Sequence, residues 1–328
     1  MPRFTVKHIT RYIYSVPVRD NANQIMLYPV KDLHQAVLRH TIKITNDPQV
    51  MVYKDYYGND VGAFAQANPH QELTIDSELV VITTAPVLAD ETLGSAAQWE
   101  LLHSYKNKIS FIDFMFPEPF QADKEVKVVA NLEKQKNGTP LETALNLNRY
   151  VYEEFQYVKG ITNVETTVDE IWKIRAGVCQ DFAHILLSML RSIDIPARYV
   201  SGYICPNKDG MRGEGATHAW VEAFIPGLNW IGLDPTNNCM VTDKHIRLAN
   251  GRSFLDCSPV KGTFKGASTH TLEVGVSVSY DNDHKEELTL NAVLQPKPLL
   301  KSTDISNSYR KYMEMMQRRQ QEQQQQQQ

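Results

Sequence analysis

The sequence predicts an α+β protein, in which a β-rich N-terminal module precedes a core built of helices and then an antiparallel sheet. Three observations carry that expectation. Up to about residue 84 the runs able to form an element are β-branched or aromatic and are bounded by turn formers. Between Thr139 and Ile193 apolar residues recur at helical spacing, and after Pro196 the pattern returns to strands. Strands and helices segregated along the chain, rather than alternating, indicate α+β.

Taken in order, 4–10, 12–15, 25–28, 36–44, 50–56 and 73–84 read as strands, separated by turns such as Gly58-Asn59-Asp60. Short strands at this spacing predict a small antiparallel sandwich over 1–85. The module holds no clustered nucleophile, base and acid, so a structural or substrate-shaping role is expected of it. Residues 86–135 read as a mixed connection, with a helix over 93–105 and a proline-containing, aromatic-packing loop over 111–120. Thr139-Pro140 is a helix start, with Thr as cap and Pro at the first helical position. Thr167 caps a short helix through Ile171 and Trp172 that ends at Gly177. From Cys179, the residues Phe182, Leu186, Met189, Leu190 and Ile193 make one helix stripe facing a core. Strands follow over 197–204, 217–225 and 230–234, with Pro226-Gly227 joining the last two. A polar connection over 261–269 leads to a late strand at 272–278, expected to rejoin the same sheet and complete a core of residues 136–295. Residues 303–328 are charged and then glutamine-only, and such a tail buries too little apolar surface to order itself.

Composition narrows the function classes. The chain has 328 residues, 42% hydrophobic and 22% charged, with a net charge of −4. That balance argues against a nucleic-acid partner and against an anionic membrane surface. No apolar run approaches membrane-spanning length, and the start MPRFTVKHITRYIYS alternates rather than forming an apolar block, so the cytoplasm is the expected location. The four cysteines, Cys179, Cys205, Cys239 and Cys257, form no CxxC pair, which argues against a disulfide framework or a closed zinc site. Cys205, Cys239 and His218 could imitate a metal site, but no short paired spacing supports it. Neither metal nor cofactor is expected.

Cys179 differs from the other three. It opens a helix directly after Gly177 and Val178, where the macrodipole favours an anion and the first-turn amides lack intrahelical acceptors. A thiolate nucleophile needs a base that can also return a proton to a leaving amine, and histidine does both. On the predicted strand His218, Trp220, Glu222 and Phe224 alternate with Ala219, Val221, Ala223 and Ile225. If the hairpin closes near residues 226–229, Asp234 returns opposite or diagonal to His218 on the same face, within reach of its imidazole. Singly, each residue has a plainer reading: a buried apolar cysteine, a satisfied core histidine, a turn-starting aspartate before Pro235. Their compatible placement is what favours a triad. His184, five residues after Cys179, is turned about 140° from it on a helix and is the weaker base candidate.

At these residues the chain resembles the transglutaminase-like superfamily. The matching text is GVCQDFAHILLSMLRSIDIPARYVSGYI from Gly177 and THAWVEAFIPGLNWIGLDPTNN from Thr217. Upstream, Phe155-Gln156-Tyr157 and Thr166-Thr167 resemble the lead-in to that core. Tyr12 to Pro17, Leu27-Tyr28-Pro29 and Tyr57-Gly58-Asn59 resemble the β domain that precedes it in bacterial members. The resemblance implies a papain-like arrangement, with Cys179 as nucleophile, His218 as base and Asp234 as its orienter. It implies acyl transfer through a thioester on a peptide or protein substrate, without metal; the acidic loops of calcium-dependent animal members have no counterpart. Tyr157 and Trp172 are candidates for a second oxyanion donor beside the Cys179 amide. Hydrolysis by a cysteine peptidase or amidase is the leading expectation. Crosslinking transglutamination and a non-catalytic peptide-binding scaffold are the alternatives.

Overall fold

In the computed structural model, residues 1–116, 118–134, 138–205, 212 and 217–280 are described, together with the backbone of 291–293. The tail expectation for 303–328 lies outside these residues. The first five strands are β1 (Arg3–Ile25), β2 (Gln35–Ile44), β3 (Met51–Lys54), β4 (Asp60–Gln66) and β5 (His70–Thr83). The start of β1 shows the period of two expected of a half-buried strand: Phe4, Val6, His8 and Thr10 point inward while their neighbours are more open. β1 is a single 23-residue strand where several short ones were expected. Its pairing with β5 shifts register between Ile13 and Val18, and its later part, from Asn21, pairs with β4 instead. Pro17, which has no N–H to give a ladder, stands in that interruption.

Four helices follow: α1 (Ser95–Tyr105), α2 (Ile109–Met115), α3 (Asp123–Glu133) and α4 (Pro140–Glu154). The loop expected over 111–120 is thus partly α2, in which Phe111 and Phe114 pack on Phe224 and Trp230 of the core sheet. Tertiary aromatic contacts hold a helix that its short sequence does not announce. α4 begins as read: Thr139 Oγ1 accepts from the Glu142 amide at 3.2 Å, and Glu142 returns the bond to the Thr139 N–H at 2.8 Å. After β6 (Gln156–Tyr157), α5 (Val168–Ile174) repeats the same reciprocal cap with Thr167 and Glu170. β7 (Ala176–Gly177) pairs in parallel with β6 and leads into α6 (Cys179–Ser192). α6 is buried on more than one stripe, with Phe182, Ala183, Ile185, Leu186, Leu187, Met189 and Leu190 all inside. It runs through the middle of the core, between the helical layer and the sheet.

That sheet contains β8 (Ala197–Ile204), β9 (Thr217–Ile225), β10 (Asn229–Asp234), β11 (Cys239–Met240) and β12 (His245–Gly251), in the order β11-β10-β9-β8-β12. Ala219, Val221, Ala223 and Ile225 of β9 share the core cluster with α6. Tyr203, Ile246 and Leu248, from β8 and β12, belong to the other cluster, with Phe4, Val6, Leu79 and Val81 of the N-terminal strands. The core sheet is therefore clad by helices on one side and by the β-rich module on the other. Polar contacts fix the second interface: His8 Nδ1 meets Tyr203 Oη at 2.8 Å, and Gln35 bonds the backbone of Arg247 in both directions.

After α7 (Phe254–Cys257), the strands β13 (Val260–Lys265), β14 (His270–Tyr280) and β15 (Asn291–Val293) return to the N-terminal sheet. Here the sequence expectation is corrected twice. Part of the polar connection over 261–269 is β13, which pairs with β1. The late strand does not rejoin the core sheet; it lies in β14, paired with β1 from Phe4↔Tyr280 to Tyr14↔His270. Alternation identifies a strand but not the edge it pairs with. β1 offered a free long edge, and the sandwich-like module is completed as one eight-stranded antiparallel sheet curled about β1. No helix among the described residues is long and apolar enough to cross a membrane.

A chain ending at Ser258 would leave that edge of β1 bare, with Val276 and Val278 missing from its cluster. We expect this truncated protein to aggregate or to lose a cooperative thermal transition, measured by circular dichroism beside the full chain. A transition matching that of the full chain would show that β13 and β14 are dispensable to the module.

Candidate active site

The Cys179 end of the site is built by β6, β7 and the start of α6. Arg175 ends α5 in the left-handed conformation, φ 52°, and turns the chain into β7. The parallel pair is closed by Gln156 N–H to Arg175 O at 2.8 Å and Val158 N–H to Gly177 O at 2.9 Å. It sets Tyr157 beside Gly177, two residues before Cys179. Asp181, in the first turn of α6, accepts from the Val178 N–H at 2.7 Å and from the Thr162 hydroxyl at 2.6 Å. A Cβ on Gly177 would stand 2.7 Å from Asp181 Cβ, so glycine is required there. Cys179 is the first residue of α6, half-buried, with Sγ 3.9 Å from the Thr217 carbonyl.

The opposite wall is the end of the core sheet. His218 is the second residue of β9 and Asp234 the last of β10; both are buried. Leu233 pairs with Val221, so Asp234 stands diagonal to His218 across the hairpin. His218 Nε2 lies 2.8 Å from Asp234 Oδ2. Its other nitrogen, Nδ1, is buried without a hydrogen-bond partner. Cys179 is near enough to act on the same ring, and its Sγ contact is to the carbonyl of Thr217, the residue before His218. Burial alone would lower the affinity of His218 for its second proton. The Asp234 charge and hydrogen bond, aided by Cys179, outweigh it and raise the pKa well above the usual histidine range.

Asp234 is the most heavily bonded group in the site. Oδ1 accepts from the Thr236 and Asn237 amides at 2.9 and 3.3 Å. Oδ2 accepts from His218, from Asn237 Nδ2 at 2.8 Å and from His245 Nε2 at 3.2 Å. Burial by itself favours the neutral acid. The charge and hydrogen bond of His218, with the hydrogen bond of His245, overcome it and hold the carboxyl far below the carboxylate range. Asp234 thus also starts the turn at Pro235, as its sequence context allowed, while orienting His218.

His245 was not singled out from the sequence. It opens β12, a strand the sequence reading did not assign. The Thr242 N–H donates to His245 Nδ1 at 3.2 Å, so the ring hydrogen sits on Nε2 and points at Asp234. Trp220 packs edge-on against the ring, with centroids 5.3 Å apart. The His218, Asp234 and His245 ligand-type atoms fall within 4.8 Å of one another, and hydrogen bonds to Oδ2 join them.

Tyr157 lies at the site. Burial, followed by the nearby Cys179, pushes its phenol well above the usual range, so it is held as an O–H donor. Trp172 is not brought there. Its ring is stacked under the Arg175 guanidinium, 3.6 Å away, and against Phe155, because the buried face of α5 points into the helical core. His184 accepts from the Phe254 N–H at 3.2 Å, and burial, helped by the charge of Arg191, lowers it to about 4. Cys205 lies in the core of the β-rich module, and Cys257 is buried beside the Tyr199 carbonyl. Cys239 of β11 pairs with Asp234 of β10, its thiol pushed up to about 12 by burial and then by that carboxylate.

The raised His218 has a stability consequence with a definite sign. Its contribution is complete below the unfolded-state pKa of about 6.5 and declines as pH rises above that toward the raised folded value. His218→Gln should therefore cost about 3 kcal/mol in urea unfolding at pH ~6 and distinctly less at pH ~9. A deficit independent of pH over that range would rule out the charged pair.

The chain is similar to known proteins in both its N-terminal and its core parts. Residues 127–235 match the transglutaminase-like superfamily, and residues 4–82 match the bacterial transglutaminase-like N-terminal region. An uncharacterised protein of Mycobacterium leprae is 33% identical over 283 residues, 85% of this chain and 99% of that one. A protein-glutamine gamma-glutamyltransferase of Pseudomonas aeruginosa is 30% identical over 127 residues, 36% of this chain and 19% of that one. A solved structure from Cytophaga hutchinsonii, described as a candidate cysteine protease, shares the fold with a TM-score of 0.68 at 21% identity, covering 87% of this chain and 92% of that one. The chain belongs to the transglutaminase-like superfamily, in the group that carries the bacterial N-terminal region.

Proposed function

We propose that the protein is a cysteine-dependent amide hydrolase or acyltransferase working through a thioester on Cys179. The observation that carries this reading is His218, bonded to Asp234 through Nε2 with a buried, unpartnered Nδ1, next in the chain to Thr217, whose carbonyl the Cys179 thiol contacts. The Cys179 thiolate attacks the carbonyl carbon of a carboxamide or peptide. In this reading the Cys179 amide, free of an intrahelical acceptor, and the Tyr157 hydroxyl, from the residue paired with Gly177, donate to the developing oxyanion. Protonated His218 then gives its proton to the departing nitrogen as the C–N bond breaks, leaving the thioester. Water attacks the thioester, His218 removes its proton, and the sulfur leaves as thiolate, which closes the cycle.

With water as acceptor the protein is a peptidase or amidase, and we take this as the leading reading. With an amine as acceptor the same steps give transglutamination, favoured by the partial match to a protein-glutamine gamma-glutamyltransferase. We place the reaction in the cytoplasm, in keeping with four free thiols.

Iodoacetamide labelling of Cys179 against pH, read by peptide mass, tests the nucleophile. Wild-type Cys179 should label faster than Cys239 at pH ~6–7, and His218→Ala should slow it at least about tenfold there. Slow labelling of Cys179, indifferent to His218, would sink the proposal.

A further inference from the structure

Arg212 stands at the same site without a part in the steps above. Its backbone is pinned by one side chain: the Arg212 N–H donates to Asn237 Oδ1 at 2.8 Å, and its carbonyl accepts from Asn237 Nδ2 at 3.3 Å. Asn237 Nδ2 also donates to Asp234 Oδ2, so this cation is held one side chain away from the carboxylate of the site. The guanidinium lies over the Tyr152 ring, 4.4 Å from its centroid. Tyr157 feels Cys179 and, in the opposite sense, Arg212, which locates the phenol near both.

Among the described residues no carboxylate pairs with this guanidinium, and its Nη1 is buried with no hydrogen-bond partner. Arginine keeps its charge under ordinary conditions, and a buried donor left unmade is costly. Buried or half-buried arginines of the core sheet and α6 are satisfied: Arg198 and Arg247 share Glu222, and Arg191 bonds the Ala197 and Arg252 carbonyls. A planar fork of donors with a vacant arm, aligned by an aromatic face beside a nucleophile, suits an incoming carboxylate.

We propose that Arg212 is the specificity-determining cation of the Cys179 site, binding a carboxylate on the acyl substrate near the amide under attack. The proposal rests on the acyl-transfer reading of that site. Its substrates are then acidic ones, with the carboxylate supplied by a glutamate or aspartate side chain or by a chain terminus.

The test uses two alkylating probes that differ in charge, anionic iodoacetate and neutral iodoacetamide, with modification of Cys179 read by peptide mass. Arg212→Gln should lower the iodoacetate-to-iodoacetamide rate ratio at Cys179 by about tenfold at low salt, and Arg212→Lys should restore part of it. A folded Arg212→Gln protein with the wild-type ratio overturns the proposal. Should that variant not fold, the wild-type ratio decides: it must fall as salt is added, and a salt-independent ratio also overturns it. Protection of Cys179 from iodoacetamide by N-acetylglutamate α-amide would assign an acidic side chain, and protection by N-acetylalanine a chain terminus. Either protection must vanish in Arg212→Gln, and survival there counts against Arg212. If His218→Ala leaves iodoacetamide labelling of Cys179 unchanged, the acyl-transfer reading fails first; an altered His218→Ala with an unaltered Arg212→Gln ratio removes only Arg212.

Discussion

The site depends on one buried carboxylate. Asp234 is fully enclosed yet ionised, because five donors converge on its two oxygens. An ionised carboxylate buried without such partners would cost several kcal/mol and would take up a proton instead. Two of the donors come from its own turn, one from the Asn237 side chain and two from histidines on different strands. The carboxylate thereby ties β9, β10 and β12 together at the end of the sheet that faces Cys179. His218 is oriented through this hub, with Nε2 committed and Nδ1 left for chemistry.

The rest of the fold serves to hold that end of the sheet against the start of α6. The helix is enclosed by the helical layer and by the small side chains of β9, Ala219 and Ala223, which permit close approach. The β-rich module clads the far face, and its polar contacts to Tyr203 and Arg247 reach β8 and β12, the pair that includes His245. The module thus contributes to the site indirectly, by fixing the strand from which His245 reaches Asp234. On the near side, Gly177 and Asp181 set the turn that presents Cys179, and the short β6–β7 ladder delivers Tyr157 to the same place.

Local chemistry was legible in the sequence where one element carries the whole signal. The Thr139 and Thr167 caps, the start of α6 at Cys179 and the β9–β10 hairpin all follow from short-range rules, and the hairpin alone brings Asp234 diagonal to His218. What escaped depends on contacts distant along the chain. β14 reads as a strand, but nothing local says that it pairs with β1 some 260 residues earlier rather than with the core sheet. Trp172 and Tyr157 were both candidates once the family resemblance was drawn; the αL turn at Arg175 and the parallel ladder separate them, one into the core and one beside Gly177. His245 was invisible because its meaning lies in a single oxygen on another strand. Arg212 likewise gains significance only from the partner it lacks.

The central claim, that Cys179 forms a thioester with help from His218, is tested most directly by trapping the acyl-enzyme. The protein is mixed with p-nitrophenyl acetate, quenched in acid and mapped by peptide mass spectrometry. The account predicts rapid acetylation on Cys179 ahead of every other nucleophile, abolished in Cys179→Ser and strongly slowed in His218→Ala. Acetyl groups spread over lysines and the other cysteines, with Cys179 no faster than they are and unaffected by loss of His218, would contradict it.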